Sequence, residues 1–251
     1  MSNTVIPSTG AAATGTDPPP PAYPLRLDAR LDWPLSRWLW LVKWVLLIPH
    51  CVALAVMAAG YLIVTVVAFV AILATGHYPR WAFGYTTGVL RWCWRVQYYG
   101  FSALGTDRYP PFTLADVPDY PARLTIAYPE RPSRGSALVQ WWLLPVPHFI
   151  ILAILLGAES SQNEGLWKQG SSVPGLIGLL TLIVGFALLF TGVYPQGLWR
   201  LLVGLNRWVY RVVAYASLMT DQYPPFRLDQ GGTDVGSDPS PPTVSSQRTT
   251  W

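Results

Sequence analysis

The sequence predicts a mainly α-helical membrane protein built from two tandem, parallel repeats, each a short strand, a transmembrane helical hairpin and an interfacial amphipathic helix. Three observations carry this prediction. Hydrophobic residues make up 51% of the 251-residue chain and charged residues 12%, about half the charged share of a soluble domain. Long apolar runs are bordered by many of the 13 Trp and 13 Tyr, as in the aromatic belts of membrane interfaces. A heptad, TDRYPPF at 106–112, returns as TDQYPPF at 220–226.

The heptad closes a longer repeated phrase. Tyr23-Pro24-Leu25-Arg26-Leu27 returns as Tyr120-Pro121-Ala122-Arg123-Leu124, and Pro49-His50 as Pro147-His148. TGHYPR at 75–80 becomes TGVYPQ at 191–196, and RWCWRVQYY at 91–99 becomes RWVYRVVAY at 207–215. The same motifs in the same order divide the chain into units over 23–114 and 120–228. Polar tails over 1–22 and 229–251 flank them. The first ends in the proline run Pro18–Pro21 and lacks the basic and apolar regions of a secretory signal. Both tails read as disordered linkers.

Each unit opens on a strand. Leu25, Leu27, Ala29 and Leu31 alternate with Arg26, Asp28, Arg30 and Asp32, which places leucines and charges on opposite faces. Ala122, Leu124, Ile126 and Tyr128 repeat the pattern. A lone strand leaves its backbone groups unsatisfied, so the two are expected to pair outside the membrane.

An apolar run follows, from Trp38 to Thr75, whose one charge is Lys43. As straight helix it would reach roughly 57 Å, beyond the ~20 residues that cross a bilayer. It reads either as an interfacial helix plus one long span broken at Pro49, or as a hairpin turning near Ala59-Gly60. The second unit favours the hairpin. Between its Pro-His pair and its Thr-Gly-x-Tyr-Pro motif it is 18 residues longer, and the added stretch is polar. Such a stretch belongs outside the hydrocarbon. The expected hairpins are therefore about 38–58 with 61–76, and 137–157 with 173–192, four spans in all. Of the 17 basic residues, all but Lys168 lie outside the hairpins or, as Lys43, near enough a helix start to snorkel back. That bias predicts a multi-pass protein of the plasma membrane with both termini cytoplasmic and loop 158–172 outside.

After each hairpin an amphipathic helix is expected, over about 80–104 and 197–219. In the first, Trp81, Tyr85, Val89, Trp92, Val96 and Tyr99 form a stripe with Arg91 and Arg95 on another face. In the second, Leu201, Leu205, Trp208, Val212 and Tyr215 oppose Arg200, Gly204, Arg207 and Arg211. Aromatic anchors opposite arginines suit an interface near anionic headgroups. Packing of the stripe on the protein's own helices, with the arginines in water, suits the pattern equally. Arg80, Arg91, Arg95, Arg108, Arg200, Arg207 and Arg211 are the candidate lipid or partner contacts. Each helix then meets Tyr109-Pro110-Pro111-Phe112 or Tyr223-Pro224-Pro225-Phe226. The prolines stop the helix, and the aromatics anchor the turn.

The phrase TGHYPRWAFGYTTGVLRWCWRVQYY with its closing TDRYPPF resembles a bacterial integral membrane protein family defined as a domain of unknown function. That family's signature is a Tyr-Pro-Arg turn, a Gly-Val-Leu-Arg-Trp helix with a following Arg-Val, and a closing Asp-Arg-Tyr-Pro-Pro-Phe. The resemblance covers about 23–228. The second unit departs from it at Gln196, Asn206 and Gln222. The family carries no assigned activity, so the resemblance implies architecture and location.

Nothing in the sequence asks for an enzyme, a cofactor or a bound metal. There is no Walker loop, His-Glu-x-x-His or Gly-x-Ser-x-Gly. His50 and His148 form a candidate intramembrane polar pair, without the third and fourth ligands a metal site wants. Cys51 and Cys93 read as apolar filler. The arginines flank apolar segments, so the net charge of +4 is no nucleic-acid footprint. The expected role is a non-catalytic scaffold or accessory subunit, working with lipids and a membrane protein partner at the cytoplasmic interface. The alternatives are a small transporter or channel between the hairpins, and an anionic-lipid-binding or envelope-lipid-handling protein.

Overall fold

The computed structural model describes residues 23–130, 132–140, 146–157 and 175–230. The tails at 1–22 and beyond 230, the loop at 158–172 and the centre of the stretch 137–157 lie outside the described residues. The order is β1 (Leu25–Ala29), α1 (Leu39–Leu46), α2 (Ile48–Thr75), α3 (Arg80–Val96), a π-helical turn (Gln97–Phe101), β2 (Ala122–Ile126), α4 (Arg134–Gln140), α5 (Val146–Leu156), α6 (Leu176–Thr191) and α7 (Gln196–Ala216). The described residues are thus mainly helical with one two-stranded sheet.

The strands follow the period-two pattern. β1 buries Leu25, Leu27 and Ala29 and exposes Arg26 and Asp28. It pairs antiparallel with β2, with Leu27 opposite Leu124. These two leucines hold the same place in the two sequence units.

The first hairpin is not formed. α2 is continuous over 28 residues, through Ala59 and Gly60. A turn there would free backbone groups that Ala58-Ala59-Gly60-Tyr61-Leu62 has no Ser, Thr, Asn or Asp side chain to cap. Gly60 serves close packing instead: a Cβ at this position would lie 2.4 Å from the Tyr85 hydroxyl. The break falls at Leu47, and Pro49 sits in the first turn of α2, where its missing N–H costs nothing. This is the alternative of a short helix followed by one long one. α2 is the one described helix long and apolar enough to cross a membrane.

In the second half, α4 is described as far as Gln140, and the end of α5 meets the start of α6. A Cβ on Gly175 would stand 2.2 Å from the Gly157 nitrogen. Counted from the flanking motifs, Gly157 and Gly175 both register with Ala59. The two helices share the packing along α7 that α2 has along α3. Gly76 (φ +75) and Gly192 (φ +69) end α2 and α6 in the left-handed conformation, the favoured glycine C-cap. The following Tyr-Pro leads into α3 or α7.

α3 and α7 form the middle of the molecule. β2 packs on α3 and β1 on α7, while α2 and α5–α6 take another face of each. Around α3, Tyr85 and Trp92 point to α2, whereas Arg91, Trp94 and Tyr98 point to the strands. The core centres on Trp94, Tyr98, Trp199 and Tyr210. Trp94 and Tyr210 meet edge to face at 5.7 Å, and Trp199 Nε1 donates to the Tyr98 oxygen at 3.2 Å. Over most of their length α3 and α7 are therefore enclosed, and Arg91, Arg95, Arg207 and Arg211 are covered by the protein itself, while Arg80 and Arg200, in their first turns, are exposed.

Candidate functional site

The repeated heptad forms a clamp over the junction of α1 and α2. Thr106 and Asp107 follow Leu104, a buried residue with φ +52. Asp107 Oδ2 accepts the Ser36 backbone N–H at 2.6 Å, ahead of α1. Its Oδ1 pairs with Lys43 Nζ at 2.8 Å. That ammonium also donates to the Thr106 carbonyl at 2.6 Å and lies 4.8 Å from the Tyr99 ring centre. Lys43 was expected to snorkel to water. It is 1% exposed, because Asp107, Thr106 and the Tyr99 face replace its hydration. Burial pushes its pKa down, and Asp107 opposes that shift.

The rest of the heptad closes over α2. The Tyr109 hydroxyl donates to the Leu46 carbonyl at 3.1 Å. The Phe112 ring stacks on His50 at 3.8 Å. Trp92 Nε1 donates to His50 Nδ1 at 3.0 Å, which puts the neutral ring's proton on Nε2. His50 is thus enclosed by Trp92, Phe112 and Tyr109. It holds α2 to α3. The side chain of His148, its counterpart in α5, lies outside the described residues. Among the described residues no three His, Cys, Asp or Glu side chains gather where a metal could bind.

The second heptad repeats the frame. Asp221 Oδ2 accepts the Ser133 N–H at 3.0 Å, ahead of α4. Tyr223 meets Tyr215 at 5.7 Å as Tyr109 meets Tyr99 at 6.0 Å. Phe226 stacks on Trp208 at 6.0 Å. Pro110 and Pro224 are buried, with Pro111 and Pro225 half-buried beside them.

The candidate arginines mostly turn inward. Arg91 Nε donates to the Leu124 carbonyl at 3.0 Å, and Arg207 Nε to the Leu27 carbonyl at 3.1 Å. Arg95, 2% exposed, donates to the Thr113 carbonyl; Arg211, fully buried, donates to those of Arg227 and Asp229. Burial lowers the pKa of both guanidinium groups. They tie the segment after each heptad to α3 or α7. Gly88 and Gly204 let that segment pass, since a Cβ at either would lie 2.8 Å from the Cβ of Leu114 or Leu228. Arg80 lies over the Tyr128 ring at 4.9 Å, and Arg108 donates to the Asp119 carbonyl at 2.8 Å. Arg200 is exposed on α7.

Sequence reasoning missed the partners that join the halves. The Tyr120 hydroxyl donates to the Arg108 carbonyl, and the Tyr23 hydroxyl to the Gln222 carbonyl. Both contacts use the backbone of the same heptad position, so the change from Arg108 to Gln222 leaves them intact. The signal was present: Tyr23 and Tyr120 open the two units, and Ser36 and Ser133 stand at matching places.

Against this enclosed interior, the outer faces of α1, α2, α5 and α6 are apolar and open. Leu41, Val45, Val52, Leu62, Ile63, Val70, Ile154, Ile183 and Phe190 are each at least 48% exposed. A clamp of backbone contacts inside and an apolar helix surface outside define a helical protein with a membrane-compatible face. The sequence matches the model of the domain of unknown function family DUF4389 over residues 37–113 and 170–227, more than half of the chain. The protein belongs to that family. No curated protein and no solved structure matches the chain.

Proposed function

We propose that this protein is a non-catalytic membrane-embedded scaffold or accessory subunit, made of two copies of one unit. Its apolar helices sit in lipid, and its sheet faces the cytoplasm toward a protein partner. One observation carries this reading: the exposed surface divides by polarity. The open sides of α1, α2 and α6 present Leu, Val, Ile and Phe, while the sheet exposes Arg26, Asp28 and Thr125. Exposed apolar patches on soluble monomers rarely exceed a few hundred Å². A 28-residue helix that is 17% buried over its most apolar window asks for a lipid or protein cover. The bias of basic residues, Lys168 apart, supports a cytoplasmic position for the polar body. The plasma membrane is the expected location.

The inward arginines favour this reading over lipid handling, because buried Arg95 and Arg211 each donate to two backbone carbonyls. Lipid then acts as solvent for the apolar face. Fractionation with an alkaline wash tests the membrane reading: retention in the pellet supports it, and release to the supernatant overturns it. Crosslinking from cysteines placed at Arg26 and Thr125 in intact membranes tests the scaffold reading. One reproducible partner band, lost on charge reversal at Asp28, supports it; uncrosslinked monomer throughout counts against it.

A further inference from the structure

We propose that α2 does not cross the bilayer but lies along it, so that both of its ends face the same side. This inference rests on the membrane reading above and adds an orientation. At ~1.5 Å per residue, α2 is ~42 Å long, and length by itself would allow a crossing. The packing around α3 argues otherwise. α3 runs beside α2 in the opposite direction: Tyr85 reaches the Met57 carbonyl at 3.0 Å and Trp92 reaches His50 at 3.0 Å. Between those two contacts, Arg91 turns away from α2 and donates to Leu124 of β2. The sheet therefore stands beside the first half of α2, across α3 from it, and not beyond its end.

A crossing α2 would carry that sheet into the bilayer. Arg26, Asp28 and Arg30, all exposed on its outer side, would then lie at the depth of Val52 and Val56. Charges at such depth are costly, and uncovered strand edges are excluded from hydrocarbon. With α2 in the plane, the same surfaces separate cleanly. Val52, Val56, Ile63, Val67 and Val70, exposed along the helix, enter the lipid together, and the sheet stays in water. The second half carries independent support. The chain leaves α5 at Gly157 and returns at Gly175, which touch, and the stretch between contains Glu159, Glu164 and Lys168. That point registers with Ala59, near the middle of α2. A helix crossing the bilayer has its middle in hydrocarbon, where a polar insertion cannot join. A helix lying along the surface has water at every point of its length.

The test brackets α2 with Ser36→Cys and His77→Cys, one at a time, in full-length protein carrying Cys51→Ala and Cys93→Ala. A membrane-impermeant maleimide is applied to right-side-out and inverted vesicles. Both cysteines are expected to react in the same vesicle orientation. Reaction in opposite orientations overturns the proposal while leaving the membrane reading intact, whereas loss of the protein from washed vesicles overturns the membrane reading. Spin labels at Val52, Val56, Ile63 and Val70 give a second readout. Similar immersion depths at all four are expected. A profile deepest at Ile63 and shallow at both ends, or four sites shielded from lipid by a second copy, overturns it.

Discussion

Asp107 and Asp221 occupy one position of a repeated motif, yet they carry different loads. Each accepts a backbone N–H ahead of a helix, from Ser36 or Ser133. Asp107 in addition neutralises Lys43, whose ammonium has lost its water. Asp107→Ala should therefore cost about 3 kcal/mol, the lower end for stranding a buried charge. Asp221→Ala should cost about 1 kcal/mol, as for a lost helix cap. Thermal unfolding in detergent checks the contrast. Lys43→Met combined with Asp107→Asn should recover most of the loss, since the amide oxygen still accepts from Ser36 and no charge is left buried. The arginines allow a parallel test. Arg95→Lys and Arg211→Lys each keep the charge but lose the planar fork that reaches the carbonyls after the heptads. Each should lose about 2 kcal/mol of stability, as for charged hydrogen bonds, with anionic-lipid retention in native mass spectrometry unchanged. A loss of lipid at unchanged stability would reassign these side chains to headgroups.

At the scale of elements, α3 contains a matched pair of glycines. Gly84 has no neighbour within 4 Å of an added Cβ, whereas Gly88 would place one 2.8 Å from Leu114 Cβ. Gly84→Ala should stabilise by about 0.5–1 kcal/mol through helix propensity. Gly88→Ala should lose about 1–2 kcal/mol net, overpacking exceeding that gain, and Gly204→Ala should behave alike. Unfolding midpoints of the three variants decide this. The same helices mark what was legible in the sequence. The alternation of Leu25, Leu27 and Ala29 foretold the strand face, and the Thr-Gly-x-Tyr-Pro motifs foretold the ends of α2 and α6. The stripe of Tyr85, Trp92 and Val96 marked one face of α3 but fitted the membrane interface as well as the packing on α2 that is observed. What covers the arginine face was not legible, because periodicity assigns residues to faces without naming the neighbour. Nor did the apolar run 38–75 reveal a break at Leu47 in place of a turn near Gly60. Alanine, valine and leucine continue a helix as readily as they build a hairpin, and the polar insertion that argued for a turn belongs to the second half. Lys43 was misjudged since its partner lies 64 residues away.

Across the whole molecule, the unit read along the chain and the unit found in space differ. β1 begins the first sequence unit but covers α7 of the second half, and β2 covers α3 of the first. Tyr23 reaches the second heptad at Gln222, and Tyr120 the first at Arg108. Arg207 donates to Leu27 of β1, and Gln230 Nε2 donates to the same carbonyl at 2.6 Å. The Arg211 guanidinium lies 5.5 Å from the Tyr23 ring. The two halves are therefore interlocked through their strands, and the N-terminal strand is structural support for the far end of the chain. Truncation to residue 30 tests this. It removes β1 and leaves the first half's helices and β2 in place. α7 and the segment 220–230 should lose their amide protection first, since Arg207, Arg211 and Gln230 lose partners together. α3 should keep more of its protection, because β2 and α2 remain on it. Hydrogen exchange of the truncated protein in detergent reads both halves at once. A synthetic peptide spanning residues 23–32 should restore protection to α7 in trans, with the antiparallel pairing to β2 guiding it into register. Equal loss over α3 and α7 would instead mean that the sheet stabilises the molecule as one block.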